Sequence, residues 1–271
     1  MLGPDGGGGG SHLRVATSAR EPASIATWVV EEAASLLKAE EPLQAEVFAS
    51  VVAGIAYRCF ANQPEAEGAF WADVLWVAER EGSPRALALL LALAALVPHR
   101  VATAAEATAA RLLRRPLAQP PWAGVVGSAR FAGAWLIAPG GCDREVVALC
   151  SQHPGRTPHA LFVLLDRRRR LALDAGLSLD AARALAESAR TLPGAEVVPL
   201  RRAAAAARLA GALAAADAAP RDGGLTDDFC DLRALIAARV TGPPSPPPGL
   251  GATPLSASPL PLGSPTWPPP A

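Results

Sequence analysis

The feature that most constrains the fold of this chain is a change of hydrophobic period at Pro120-Pro121-Trp122. Before it, apolar residues recur at intervals of three, four and seven, the spacing of one helix face. After it they come as short runs bounded by Gly, Pro and Ser, as in strands. Helices followed by strands point to an α+β protein: an antiparallel helical bundle, a roughly four-stranded antiparallel sheet and C-terminal helices.

Between Glu21 and Arg115 five helices are expected. The first, Pro22 to Lys38, sets Ile25, Trp28, Val29 and Leu36 on one face, with Pro22 suited to the first turn. The second, about Leu43 to Ala61, carries Val47, Val51, Ile55 and Cys59. The third, about Pro64 to Arg80, stacks Phe70, Val74 and Val77, with Trp71 and Leu75 alongside. Glu81-Gly82-Ser83-Pro84 then stops one helix and starts another, with Gly in a left-handed C-terminal turn, Ser as N-cap and Pro at the first helical position. Helices four (Pro84 to Val97) and five (about Arg100 to Arg114) follow on short connections, which implies antiparallel neighbours.

Beyond the junction, Arg130 to Ile137, Glu145 to Ser151 and His159 to Asp166 read as strands of a meander, and about Leu171 to Ala175 as a fourth. A helix from Leu179 to Arg190 is expected behind a Ser178 cap, then an edge strand at Ala195 to Val198. Helices at about Arg201 to Ala216 and Thr226 to Val240 complete the order. The chain divides into a Gly-rich leader (1–20) and a proline-rich tail (241–271), both expected to be disordered, around a bundle (21–118) and an α+β region (119–240).

Composition narrows the function classes. Lys+Arg 25 against Asp+Glu 25 leaves no surplus positive charge for general nucleic-acid binding or for a polybasic membrane contact. The most apolar run, Ala86 to Val97, is 12 residues long, whereas a membrane-spanning helix needs roughly 17–25. The four cysteines, Cys59, Cys142, Cys150 and Cys230, are widely spaced with no C-x-x-C, so a reduced, cytoplasmic protein is expected. Much of the 51% hydrophobic content is the 61 alanines, which bury little area each, so the core is expected to be close-packed and helical.

The chemistry-bearing residues are few. Cys142, Cys150, His153 and His159 are of types that suit zinc, but Cys142 falls in the first hairpin turn while the histidines flank the second, roughly 25 Å away along a strand. No metal and no cofactor is expected. Asp166-Arg167-Arg168-Arg169-Arg170 falls where a hairpin turns; four guanidiniums there suit an anion, and a solvated tip is the plainer reading. Ser128, His159 and Asp166 do not make a triad, because His159 and Asp166 stand at opposite ends of one strand. No phosphate-loop, zinc-protease or nucleophile-elbow pattern occurs, and no catalytic residue is assigned. Helices four and five have a helix-turn-helix arrangement, but the second is mostly Ala and Thr where base-reading side chains would stand. The prolines of 243–248 and 268–270 suit an aromatic groove; otherwise the tail is a charge-free spacer, the reading adopted from sequence.

Pro121-Trp122-Ala123, the strand ending Ala134-Trp135, and His159-Ala160-Leu161-Phe162-Val163-Leu164-Leu165-Asp166 resemble an uncharacterised family of actinobacterial proteins. The resemblance covers roughly residues 84–240 and implies a helical N-terminal region, a sheet with a His-Ala to Asp strand, and no nameable activity. That family commonly continues Asp-His-Asn-Leu-Gly-Gly; here Arg167-Arg168-Arg169 stands in place of His-Asn-Leu and the glycines are missing. His159, Asp166 and Asp174 are the family-matched positions, of unassigned role. The expectation is a non-catalytic interaction or regulatory protein with an unidentified protein partner. The alternative is an enzyme or small-ligand binder that holds an anionic substrate with Arg167, Arg168, Arg169 and Arg170.

Overall fold

The computed structural model describes residues 24–60, 63–141, 143–191, 194–219 and 224–242. The leader, the tail beyond Gly242, Pro22, Ala61 and Cys142 lie outside the described residues. Those described form an α+β protein of eight α-helices and a five-stranded antiparallel sheet.

The helical half follows its punctuation. Helix α1 (Ile25–Glu32) is capped by Ser24, whose hydroxyl accepts from Thr27 N, and runs on as a 3-10 turn through Leu37. Helices α2 (Pro42–Cys59), α3 (Pro64–Glu81) and α4 (Pro84–Leu96) each begin with a proline, where the missing N–H has no helical partner to lose. Between α3 and α4, Gly82 sits at φ 60° and Ser83 Oγ accepts from Ala86 N at 3.3 Å, as the sequence implies. Helix α4 is the axis of the bundle, with Ala86 through Leu90 fully buried. Helix α5 (His99–Leu112) packs back along it.

Two helix faces differ from expectation. On α1, Ile25 and Trp28 are 47% and 46% exposed, and the core is met by Ala26, Val29, Val30 and Ala33. The run Ile25 to Val30, apolar but for Thr27, supports two overlapping periodic faces, and the one with small alanines packs closer. On α2 the expected line Val47, Val51, Ile55 and Cys59 is half-buried or exposed. The buried face carries Glu46, Ser50 and Gly54, four apart, against helix α8 (Asp227–Thr241). Ser50 Oγ accepts from Leu235 N at 3.0 Å, and a Cβ on Gly54 would lie 2.7 Å from Cys230 O. Arg58 continues the line and pairs with Asp231 at 2.5 Å.

The sheet consists of β1 (Arg130–Pro139), β2 (Arg144–Gln152), β3 (His159–Asp166), β4 (Leu171–Ser178) and β5 (Ala195–Pro199), in the order β4-β3-β2-β1-β5. The meander and the edge strand are as expected from sequence; β5 pairs antiparallel with β1, and Pro199 ends it where a missing N–H costs least. Helix α6 (Ala181–Thr191) starts two residues later than expected because β4 runs through Ser178. Its cap is Asp180, whose carboxylate accepts from Arg183 N at 3.0 Å, while Ser178 Oγ only braces the turn.

Alternation divides the sheet's faces. Leu149, Leu161, Val163 and Leu165 join the main core under α8 and helix α7 (Arg202–Ala218), whereas Cys150 and Ala160 meet Ala181 on the side of α6. Trp122, fully buried at the junction, donates its indole N–H to Leu36 O at 3.0 Å. A single cluster of buried apolar side chains includes residues of α1, α4, β3 and α8. Among the described residues no helix is long and apolar enough to cross a membrane.

Candidate functional site

Strand alternation and one tight turn bring two histidines inward. Ser151 on β2 pairs with His159 on β3, and the loop between them turns through Gly155 at φ 71°. His153, two residues after Ser151, therefore faces the core beside His159. Their rings stack with centroids 5.5 Å apart and planes 26° apart, and each residue is 2% exposed.

Helix α2 supplies Glu46 to this place and the last turn of α8 supplies Arg239, which are 0% and 8% exposed. Glu46 Oε1 accepts from Gly127 N at 2.8 Å and lies 2.9 Å from His153 Nε2. Its other oxygen takes the Arg239 guanidinium, whose Nη2 also stands 3.4 Å from His159 Nε2. A carboxylate buried in an apolar core is costly unless paired and hydrogen-bonded. Burial pushes the Glu46 carboxyl up, but the hydrogen bond from His153 and the charge of Arg239 outweigh it and hold the group below its usual range.

These partners determine the protonation states. An ionised Glu46 only accepts, so His153 Nε2 carries a proton; Arg239 only donates, so His159 Nε2 is a bare acceptor. Burial, reinforced by the charge of Arg239, pushes the pKa of His159 down to about 4, so the ring is neutral in ordinary solution. Arg239 Nε has no hydrogen-bond partner among the described residues. Beside it lies a crevice of about 10 Å³ lined by Gly127, Ser151, Arg202 and Gly242, which is room for one water. The cluster thus has a base and a charge pair but no space for a substrate. It joins α2, α8, the β2–β3 loop and the turn before β1.

The residues singled out from sequence are distributed around the sheet. His159 is in the sealed cluster, and Asp166 ends the same strand, seven residues on. Asp166 Oδ1 accepts from the N–H groups of Arg168 and Arg169 at 2.8 and 2.9 Å, and these bonds, Arg169 first, hold its carboxyl below the usual range. Arg167–Arg170 form the turn between β3 and β4, with Arg170 at φ 53°. Arg168 pairs with Asp143 at 2.7 Å, and Arg167 lies 3.6 Å from Glu145, which also binds Arg208 at 2.5 Å. Arg169 and Arg170 are exposed. Asp174 receives Ala175 N and the hydroxyl of Thr226, the residue that caps α8, so it anchors the start of that helix. Ser128 donates to Val125 O. Cys150 faces the side of α6, where burial pushes its thiol up to about 11. Among the described residues no group of three or more His, Cys, Asp or Glu could hold a metal ion.

Sequence reasoning missed Glu46 and Arg239, which lie 193 residues apart with no motif between them. The available signal was the Glu46, Ser50, Gly54 line, too small and polar for a solvent-facing apolar stripe and shaped for a close helix neighbour.

A second concavity is open. A groove of about 810 Å³ runs between the C-terminal end of α2, the start of α3, the α4–α5 turn and the last turns of α8. Tyr57, Phe60 and Trp71 line it together with Pro64, Pro98 and the alanine-rich faces of α4 and α8. Phe60 packs on Phe70 at 5.4 Å and Phe70 on Trp71 at 5.1 Å, which stiffens that wall. Arg233 lies over the Tyr57 ring at 4.6 Å and is held there by Asp217.

Comparison with protein-family models, with curated proteins and with solved structures gave no match.

Proposed function

We propose that the protein is a non-catalytic cytoplasmic interaction protein whose working surface is the groove between α2, α3, the α4–α5 turn and α8, and that it takes an extended, uncharged, proline-rich segment there. One observation carries this reading: the polar convergence is sealed, while the open concavity is mostly apolar and aromatic-walled, with Glu67, Asp217 and Arg233 also in its lining. Volumes of 300–1,000 Å³ are typical of ligand sites, and polyproline segments dock on aromatic walls because little entropy remains for them to lose. Exposed Cys59, in no disulfide among the described residues, agrees with a reducing compartment. An overall charge of zero agrees with a partner other than nucleic acid.

The anion-binding alternative rests on the Arg turn, where an anion would have to compete with Asp143 and Glu145 for two of the four arginines. To test the groove, a decaproline peptide is titrated against the full-length chain with Pro243, Pro244, Pro246, Pro247 and Pro248 replaced by serine, and hydrogen exchange is followed. Protection at α2, α3 and the α4–α5 turn is expected. No binding, or protection confined to the sheet, would refute the proposal.

A further inference from the structure

Thr241, the last residue of α8, and its cap Gly242 both line the groove. The next residues in the chain are Pro243-Pro244-Ser245-Pro246-Pro247-Pro248, followed by further prolines and no charged residue to the end. From this continuity we infer that the chain's own proline-rich tail is the resident occupant of the groove. It enters at Gly242 and lies against Phe60 and Trp71, so that a partner segment must displace it. The inference rests on the reading of the groove as a proline-rich-segment site and names what covers it.

Three observations favour the tail over other occupants. The chain leaves α8 at the groove, so the tail begins on the surface it would cover. Gly242 has φ 84° and ψ 170°, a combination that favours glycine, and it ends the helix. Six residues of polyproline geometry extend about 19 Å, and the segment brings neither charge nor β-branched bulk into a mostly apolar channel. Proline fixes φ before docking, so little ordering is required.

Tethering sets the magnitude. A short linker gives an effective concentration on the order of 1 mM, so a segment of ~0.1 mM intrinsic affinity is about 90% docked and weakens a competitor about tenfold. The test compares decaproline binding to the wild-type full-length chain and to the chain with five tail prolines changed to serine. Those positions lie outside α8, so the substitutions leave the described core intact. The expected result is roughly tenfold tighter binding to the variant, with the wild-type Kd independent of protein concentration.

Equal affinity for both chains would overturn the inference and leave the groove's function standing. A wild-type Kd that weakens with protein concentration would place the tail on a second copy and equally overturn it. Failure of both chains to bind would remove the groove reading and the inference with it. Because serine in place of proline also loosens the tail, a second variant, Ala102→Arg, is included. It narrows the groove on α5 and is expected to abolish decaproline binding to the serine variant; retained binding would mean the peptide sits elsewhere.

Discussion

Removing the Arg239 guanidinium would leave the Glu46 carboxylate buried opposite only the Gly127 amide and His153. Breaking one side of a buried pair typically costs about 3–5 kcal/mol, far more than losing a surface bridge. Arg239→Met is therefore expected to lower the urea midpoint strongly. The double replacement Glu46→Leu with Arg239→Met should recover part of the loss, because no charge then lies unpaired, although the Gly127 N–H does. A double variant as weak as the single one would show that the cluster matters for its shape and not for its charge. The neighbouring ring gives a pH signature. His159 titrates near 4 when folded against 6.5 when unfolded, so between these values the unfolded chain binds more protons. Stability from this group is complete above about pH 6.5 and is lost as pH falls toward 4, on the order of 3 kcal/mol in all. The lowered carboxyl of Glu46 acts in the same direction at lower pH. Thermal unfolding from pH 7.5 to 4 should show the decline, and His159→Asn should flatten it.

Between elements, the closeness of α2 and α8 depends on a residue with no side chain. A methyl on Gly54 would meet Cys230 O at 2.7 Å and the Asp231 backbone at 2.9 Å, contacts that neither helix can relieve without moving. Gly54→Ala is expected to destabilise by about 1–3 kcal/mol, the usual cost of overpacking. The same change at Gly211, exposed on α7 with nothing within 4 Å, should stabilise by about 0.5–1 kcal/mol through helix propensity. Equal effects in denaturant melts would refute the close-packed reading of the α2–α8 contact. This contact also shows where sequence reading stops. Element boundaries were legible because Gly82, Ser83 and Pro84 act locally, and the strands because Gly and Pro bound them. The buried face of α2 was not legible, because Glu46 and Ser50 look like surface residues until α8, far along the chain, meets them. The histidines could be placed at one turn, but what they face could not, since Glu46 and Arg239 reach them only through tertiary packing. The Ser178 cap failed for a smaller reason: β4 extends through that residue, and Asp180 is then the first side chain free to cap.

At the scale of the whole molecule, the division into a bundle and an α+β region is a pattern of sequence, while the packing crosses it. Helix α8 belongs by position to the second region, yet its main partner is α2, and it also lies on β4. Trp122 donates to Leu36, and Glu46 of the bundle holds His153 of the β2–β3 loop. Removing either region would expose buried apolar faces on the other, so neither is expected to be stable by itself. The chain should then unfold in one cooperative step, with fluorescence of Trp122 at the junction and Trp135 in the sheet, each followed with the other tryptophans replaced by Phe, giving coincident midpoints. Arg239→Met should shift both midpoints together, because the cluster bridges the regions. Two separated transitions, with only one moved by that substitution, would mean that the bundle and the sheet region fold independently and that α8 is a strap between them.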